Sequence, residues 1–322
     1  MPRRFAFQML IPLLFVSAAM ATDPALRPIT LFREGEGGYH NYRIPAVIRT
    51  SRNTILAFCE GRQNAHGPSN DSGEINLLVR RSTDGGNTFD PPRVVWADGQ
   101  NTCGNPCPVV DRSTGKIWLL ATHNLGEDTE RQITLGTAHG TRTVWVSSSS
   151  DDGVTWMPFR EITGDVKKPD WASGGRLLLN MRNMTPPRGE TGHLNRGIAL
   201  SDDGGATFGP ARFDPTLIEP RCQGSILRYC WPEQGKSRIF FCNPASTRRR
   251  EALTVRLSYD EAATWPVSKV IVAGPAGYSS LVALGDGSIG LLYEAGVKNP
   301  YERIDFVRFG LDWLKDGKHQ GK

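Results

Sequence analysis

After residue 21 the sequence has no long apolar run, and nowhere does it hold a 3.6-residue hydrophobic period for three turns. The first absence leaves no segment that could cross a bilayer as a helix, which takes about twenty apolar residues. The second excludes coiled coils and helical bundles. Charge of one sign is also scarce. Against 33 Asp and Glu there are 38 Lys and Arg, a net +5, without the basic runs of a nucleic-acid-binding chain. Zinc spacing is missing, because Cys103-x3-Cys107 has no second Cys or His pair downstream to complete four ligands. No metal or cofactor is expected.

What is present points to a packed, all-β chain. Its 322 residues include 8 Trp, 7 Tyr and 13 Phe, and its 35 glycines and 22 prolines stay below the density of disordered sequences. At the N-terminus, Arg3 and Arg4 precede an apolar run from Phe5 to Ala19, and Ala19-Met20-Ala21 has the small-x-small form of a cleavage site. Residues 1–21 are therefore expected to be a signal peptide and 22–322 a single domain, periplasmic or secreted and monomeric. Six cysteines in an exported chain allow 15 disulfide connectivities, and the spacing selects none.

A repeat sets the architecture. Ser-x-Asp-x-Gly-x-Thr-aromatic occurs at Ser82–Phe89, Ser149–Trp156 and Ser201–Phe208, and again at Ser258–Trp265 with Ala262 in place of glycine. In such a turn the Ser and Asp side chains accept hydrogen bonds from backbone amides, and glycine supplies positive φ without a Cβ clash. The closing aromatic is expected to enter the next strand and be buried. A hairpin recurring every 50 to 65 residues matches four-stranded propeller blades, whose radial repetition protects strand edges. The expected fold is a six-bladed β-propeller, closed by pairing between Ile29–Phe32 and Ile304–Val307.

His40-Asn41-Tyr42-Arg43-Ile44-Pro45 opens the first blade, and together with four boxes in order it makes the chain resemble an exo-α-sialidase of the bacterial and animal type, from about Arg33 to Leu314. The resemblance implies a sialidase-like propeller acting on sialylated glycans. A clamp of three arginines would bind the sugar's carboxylate, since a planar guanidinium matches that anion with two parallel hydrogen bonds. By resemblance the clamp is Arg43, Arg182 (after Leu177-Leu178-Leu179-Asn180-Met181) and Arg250, with Arg249 the competing choice for the third position. Tyr278 matches the family's nucleophile, a neutral phenol that the substrate carboxylate does not repel. Asp71 matches the acid/base, Arg62 an arginine facing the amide substituent, and Glu294 the carboxylate that holds the first clamp arginine.

The middle of the chain departs from the family. An extra stretch expected there, ending in the glutamate that serves as the tyrosine's base, is absent, and Arg160–Trp171 runs almost directly into Gly174-Gly175-Arg176. Sixteen residues before Arg182 stands Val166, with Asp165 beside it. One blade is therefore expected to be incomplete, and the tyrosine to lack its base. Glu219 could substitute, although its place on a strand edge suits a structural residue better. Three readings stay open: a retaining sialidase (or the transferase variant of the same chemistry), a sialic-acid-binding propeller without turnover, and a structural propeller whose three arginines point apart.

Overall fold

The computed structural model describes residues 25–63, 71–166, 177–183, 194–202 and 207–316. The expected signal peptide lies outside these residues. So do the Asp202–Thr207 turn's central positions 203–206 and the residues that lead into the second clamp strand.

β1 (Ile29–Arg33) precedes the first blade, which comprises β2 (Asn41–Arg49), β3 (Ile55–Arg62), β4 (Ile75–Ser82) and β5 (Arg93–Trp96), each antiparallel to the one before. The next blade repeats the plan with β6 (Thr102–Val110), β7 (Ile117–Asn124), β8 (Thr143–Ser149) and β9 (Arg160–Glu161). Three strands follow: β10 (Leu177–Met181), β11 (Asn195–Ser201) and β12 (Arg212–Ile218). β13 (Ser225–Cys230), β14 (Arg238–Pro244), β15 (Glu251–Ser258) and the first half of β16 (Val267–Ala283) make another blade. The second half of β16 starts the last one, continued by β17 (Ile289–Ala295) and β18 (Arg303–Phe309).

β1 completes that last blade by pairing Ile29 with Phe306, Thr30 with Asp305 and Phe32 with Ile304, as the sequence suggested. The end of the chain is thus stapled to its beginning, and the sheet edge that both would expose is removed. Among the described residues the strands are interrupted by the short helices α1 (Glu130–Leu135), α2 (Thr163–Val166) and α3 (Leu311–Lys315) and by a 3-10 turn at Pro232–Gln234. Among the described residues the strands form four four-stranded blades and three strands of another. The apolar cores lie between blades. Leu31, Val47, Ile55, Leu78, Leu292 and Phe306, for example, pack the first blade against the last.

The three boxes that lie wholly within the described residues share one hydrogen-bond scheme. Asp84 Oδ1 accepts from the amides of Asn87 and Thr88 and its Oδ2 from the Thr88 hydroxyl, while Ser82 Oγ accepts from the Gly86 amide. Asp151 with Thr155, and Asp260 with Thr264, repeat it. Gly86 and Gly153 sit at φ +88° and +77°, and Ala262 is held at +64° in the degraded copy, so the serine–amide bond keeps the turn where glycine is missing. The closing aromatics differ from expectation. Phe89, Trp156 and Trp265 stand in the connections before β5, β9 and β16 rather than inside those strands, and Phe208 is exposed. Phe89, Trp156 and Trp265 pack into the apolar clusters between neighbouring blades. All six cysteines are free thiols.

Candidate active site

Bulges aim the site residues. In β2, Arg43 pairs with Glu60 and Ala46 with Phe58, so one extra residue is inserted between them, and Ile44 adopts φ +56°. Positive φ is strained for a β-branched residue and persists only where its surroundings hold it. Here the Ile44 amide donates to Glu294 Oε1 at 3.1 Å. β16 carries a matching bulge between Ala276 and Ser279, which turns Tyr278 out of the ladder.

Glu294, fully buried on β17, joins these two bulges. Its Oε1 accepts from Arg43 Nε at 2.7 Å and its Oε2 from the Tyr278 amide at 2.9 Å. Burial works against the charge on Arg43, but the charge of Glu294 and its hydrogen bond more than reverse this and hold the guanidinium's pKa above its ordinary value. Gly277 is required between them, because a Cβ there would lie 2.3 Å from Glu294 Oε2.

All three clamp candidates reach Tyr278. The Arg43 guanidinium carbon is 5.2 Å from the ring centroid and that of Arg250 5.1 Å, while Arg182 Nη1 donates to the hydroxyl at 3.2 Å. They arrive from the first blade, the three-stranded blade and the loop before β15. The buried Cys222 feels this convergence: burial pushes its thiol up to about 12 although Arg250, Arg182 and Arg43 all pull it down. Arg250, not the exposed Arg249, is the inward member of its run.

Arg62 and Asp71 meet in a separate cluster. Arg62 Nη2 lies 2.9 Å from Asp71 Oδ1, and Arg62 Nε donates to Glu60 Oε2 at 3.0 Å. Glu60 in turn accepts from the Asn105 amide at 2.8 Å. Because Glu60 is the cross-strand partner of Arg43, this cluster borders the clamp. Asp71 makes no described contact with Tyr278.

Among the described residues Glu219 makes no bond to the phenol. It is fully buried, accepts from Arg196 Nη1 at 2.7 Å and from the Asn183 amide, and so anchors the chain just after Arg182. Asp165 is exposed on α2 and faces Arg160 at 3.6 Å. Two residues went unread in the sequence. Gln223 exchanges hydrogen bonds with the Ser279 backbone at 3.0 and 2.9 Å, fixing β16 beside Tyr278. Tyr301 stacks on Arg43, its ring centroid 4.2 Å from the guanidinium carbon. Neither carries a spacing signal, since both act through loops.

Residues 53–172 match the BNR repeat-like domain family. The chain is 30% identical to an exo-alpha-sialidase of Aspergillus fumigatus, over 87% of this chain and 86% of that relative. It is 31% identical to a sialidase of Micromonospora viridifaciens over 91% of its own length, and spans 55% of that longer relative. Among solved structures it resembles the Hadza microbial sialidase Hz136, with a TM-score of 0.75 and 24% identity over 89% of this chain and 69% of that one. A leech intramolecular trans-sialidase gives a TM-score of 0.70 at 15% identity, over 90% of this chain and 71% of that one. These structural likenesses place the fold among the six-bladed β-propellers.

Proposed function

The chain belongs to the sialidase family, and on that premise we propose that it is a retaining exo-α-sialidase that releases terminal α-linked sialic acid from glycoconjugates. The observation that carries this reading is the meeting of Arg43, Arg182 and Arg250 around Tyr278. Three guanidinium groups gathered round a phenol, of which only Arg43 has a carboxylate partner (Glu294) among the described residues, make an anion site with a neutral group at its floor. A sugar bearing a carboxylate on its anomeric carbon satisfies both halves.

In this reading the clamp binds the carboxylate and sets the anomeric carbon over Tyr278 Oη. That oxygen gives up its proton to water and attacks the anomeric carbon, the glycosidic bond breaks, and Asp71 gives its own proton to the departing oxygen. Water then attacks the anomeric carbon while Asp71 takes a proton back, the bond to Tyr278 Oη breaks and that oxygen regains its proton from water, and two inversions leave the configuration retained. Arg62 holds Asp71 at the rim and faces the amide substituent. Export and a monomeric state belong to the same proposal.

A second reading, a sialic-acid-binding propeller without turnover, draws on a specific observation. A phenol needs a base to become a nucleophile at neutral pH, yet among the described residues the hydroxyl of Tyr278 bonds to Arg182, and Glu219 is committed to Arg196 and Asn183. A fluorogenic aryl α-sialoside decides. Release that Tyr278→Phe abolishes supports the enzyme, and transfer to an added sugar acceptor would mark the transferase variant. Saturable binding without release supports the second reading.

A further inference from the structure

Tyr301 has no part in the chemistry above, yet it touches two of the three clamp arginines. Its ring lies 4.2 Å from the Arg43 guanidinium carbon, and its hydroxyl accepts from Arg250 Nη1 at 2.9 Å. The other amine of Arg250 points to the Arg221 carbonyl at 3.5 Å. Arg250 thus has no carboxylate partner among the described residues, whereas Arg43 has Glu294.

The loop presenting Tyr301 is built rather than slack. Glu302 accepts from the amides of Val297, Lys298 and Asn299, and Asn299 Oδ1 accepts from the Tyr301 amide at 2.8 Å. Gly296 lets the turn close, because a Cβ there would fall 1.8 Å from the Asn299 carbonyl oxygen. The Glu302 carbonyl accepts from Glu34 at 2.9 Å, tying the loop to the chain after β1.

An anion clamp faces a difficulty before its ligand arrives: its cations repel one another in a partly desolvated place. Two carboxylates would relieve the repulsion but would also cancel the field the ligand needs. A tyrosine relieves it without a countercharge, by offering a π face to one cation and an oxygen lone pair to the other.

We propose that Tyr301 is a positioning residue of the clamp, an uncharged spacer that fixes the fork of Arg250 and the plane of Arg43 for the carboxylate of sialic acid. The inference rests on the function proposed above and names the group that sets its anion site.

The test is a calorimetric titration with the unsaturated 2,3-dehydro sialic acid, applied to wild type, Tyr301→Phe, Arg250→Gln and the double variant. Tyr301→Phe keeps the ring and removes the acceptor. It should weaken binding about fivefold, the equivalent of one hydrogen bond. Because the effect runs through Arg250, the same change in the Arg250→Gln background should cost nothing further. Tyr301→Leu, which also removes the stack on Arg43, should weaken binding more than Tyr301→Phe at an unchanged melting temperature. Equal affinity of Tyr301→Phe and wild type overturns the inference alone. So does an undiminished loss in the Arg250→Gln background, or a loss that tracks a lowered melting temperature. A wild type that does not bind the sugar overturns the functional reading, and this inference with it.

Discussion

Glu294 joins Arg43 to Tyr278 with one carboxylate: Oε1 takes the arginine's Nε at 2.7 Å and Oε2 the tyrosine's amide at 2.9 Å. The relationship fixes the orientation of a clamp cation and the position of the phenol from a single buried point. Glu294→Ala leaves a guanidinium that is 3% exposed without its counterion, and should cost about 3–5 kcal/mol in denaturant unfolding. Glu294→Gln keeps the shape and loses the charge. It should stay folded and bind the sugar about tenfold or more weakly, in line with a charge-assisted hydrogen bond.

Gly277 should tolerate no side chain. The Cβ of Gly277→Ala would stand 2.3 Å from Glu294 Oε2 and 3.3 Å from its Cβ, so the carboxylate must leave the Tyr278 amide. A loss of about 1–3 kcal/mol is expected from the overpacking, together with loss of sialoside binding. Gly164→Ala, on α2 with nothing within 4 Å, is the matched control and should leave both melting temperature and binding unchanged.

Strong acid should loosen the turns. Hydrogen bonds from the Thr155 hydroxyl and amide hold the Asp151 carboxyl down at about 2, and the matching bonds from Thr88 depress Asp84 further. An unfolded aspartate titrates near 3.9. The depressed native pKa therefore contributes stability that is fully present above about pH 4 and is lost as pH falls through about 2. Unfolding free energy measured across that window should drop, modestly because these turns meet solvent. Asp151→Asn should flatten the slope there while lowering stability at neutral pH. An equal slope in variant and wild type would contradict the assignment.

The parts of this molecule legible in the sequence are those written in contiguous residues. Ser82 to Phe89 spells out its own hydrogen bonds, and the order of the boxes gives the blades. The clamp was legible through family likeness, because Arg43, Arg182 and Arg250 each sit in a recognisable local motif. Bulges were not. Nothing in Tyr-Arg-Ile-Pro announces that Ile44, a β-branched residue, takes φ +56°, since tertiary bonds to Glu294 impose it. Tyr301 was invisible for the same reason: its value comes from where a glycine-hinged loop sets it, 258 residues after Arg43. The closing aromatics of the boxes follow the same rule: Phe89, Trp156 and Trp265 pack between blades, a contact that the turn motif by itself does not spell out.

The most direct test is a crystal soaked with the unsaturated sialic acid. Its carboxylate should lie within about 3 Å of nitrogen atoms from Arg43, Arg182 and Arg250 together, with the Tyr278 oxygen beneath the anomeric carbon. Sugar density away from those three side chains, or a carboxylate held by fewer than two of them, would contradict the account.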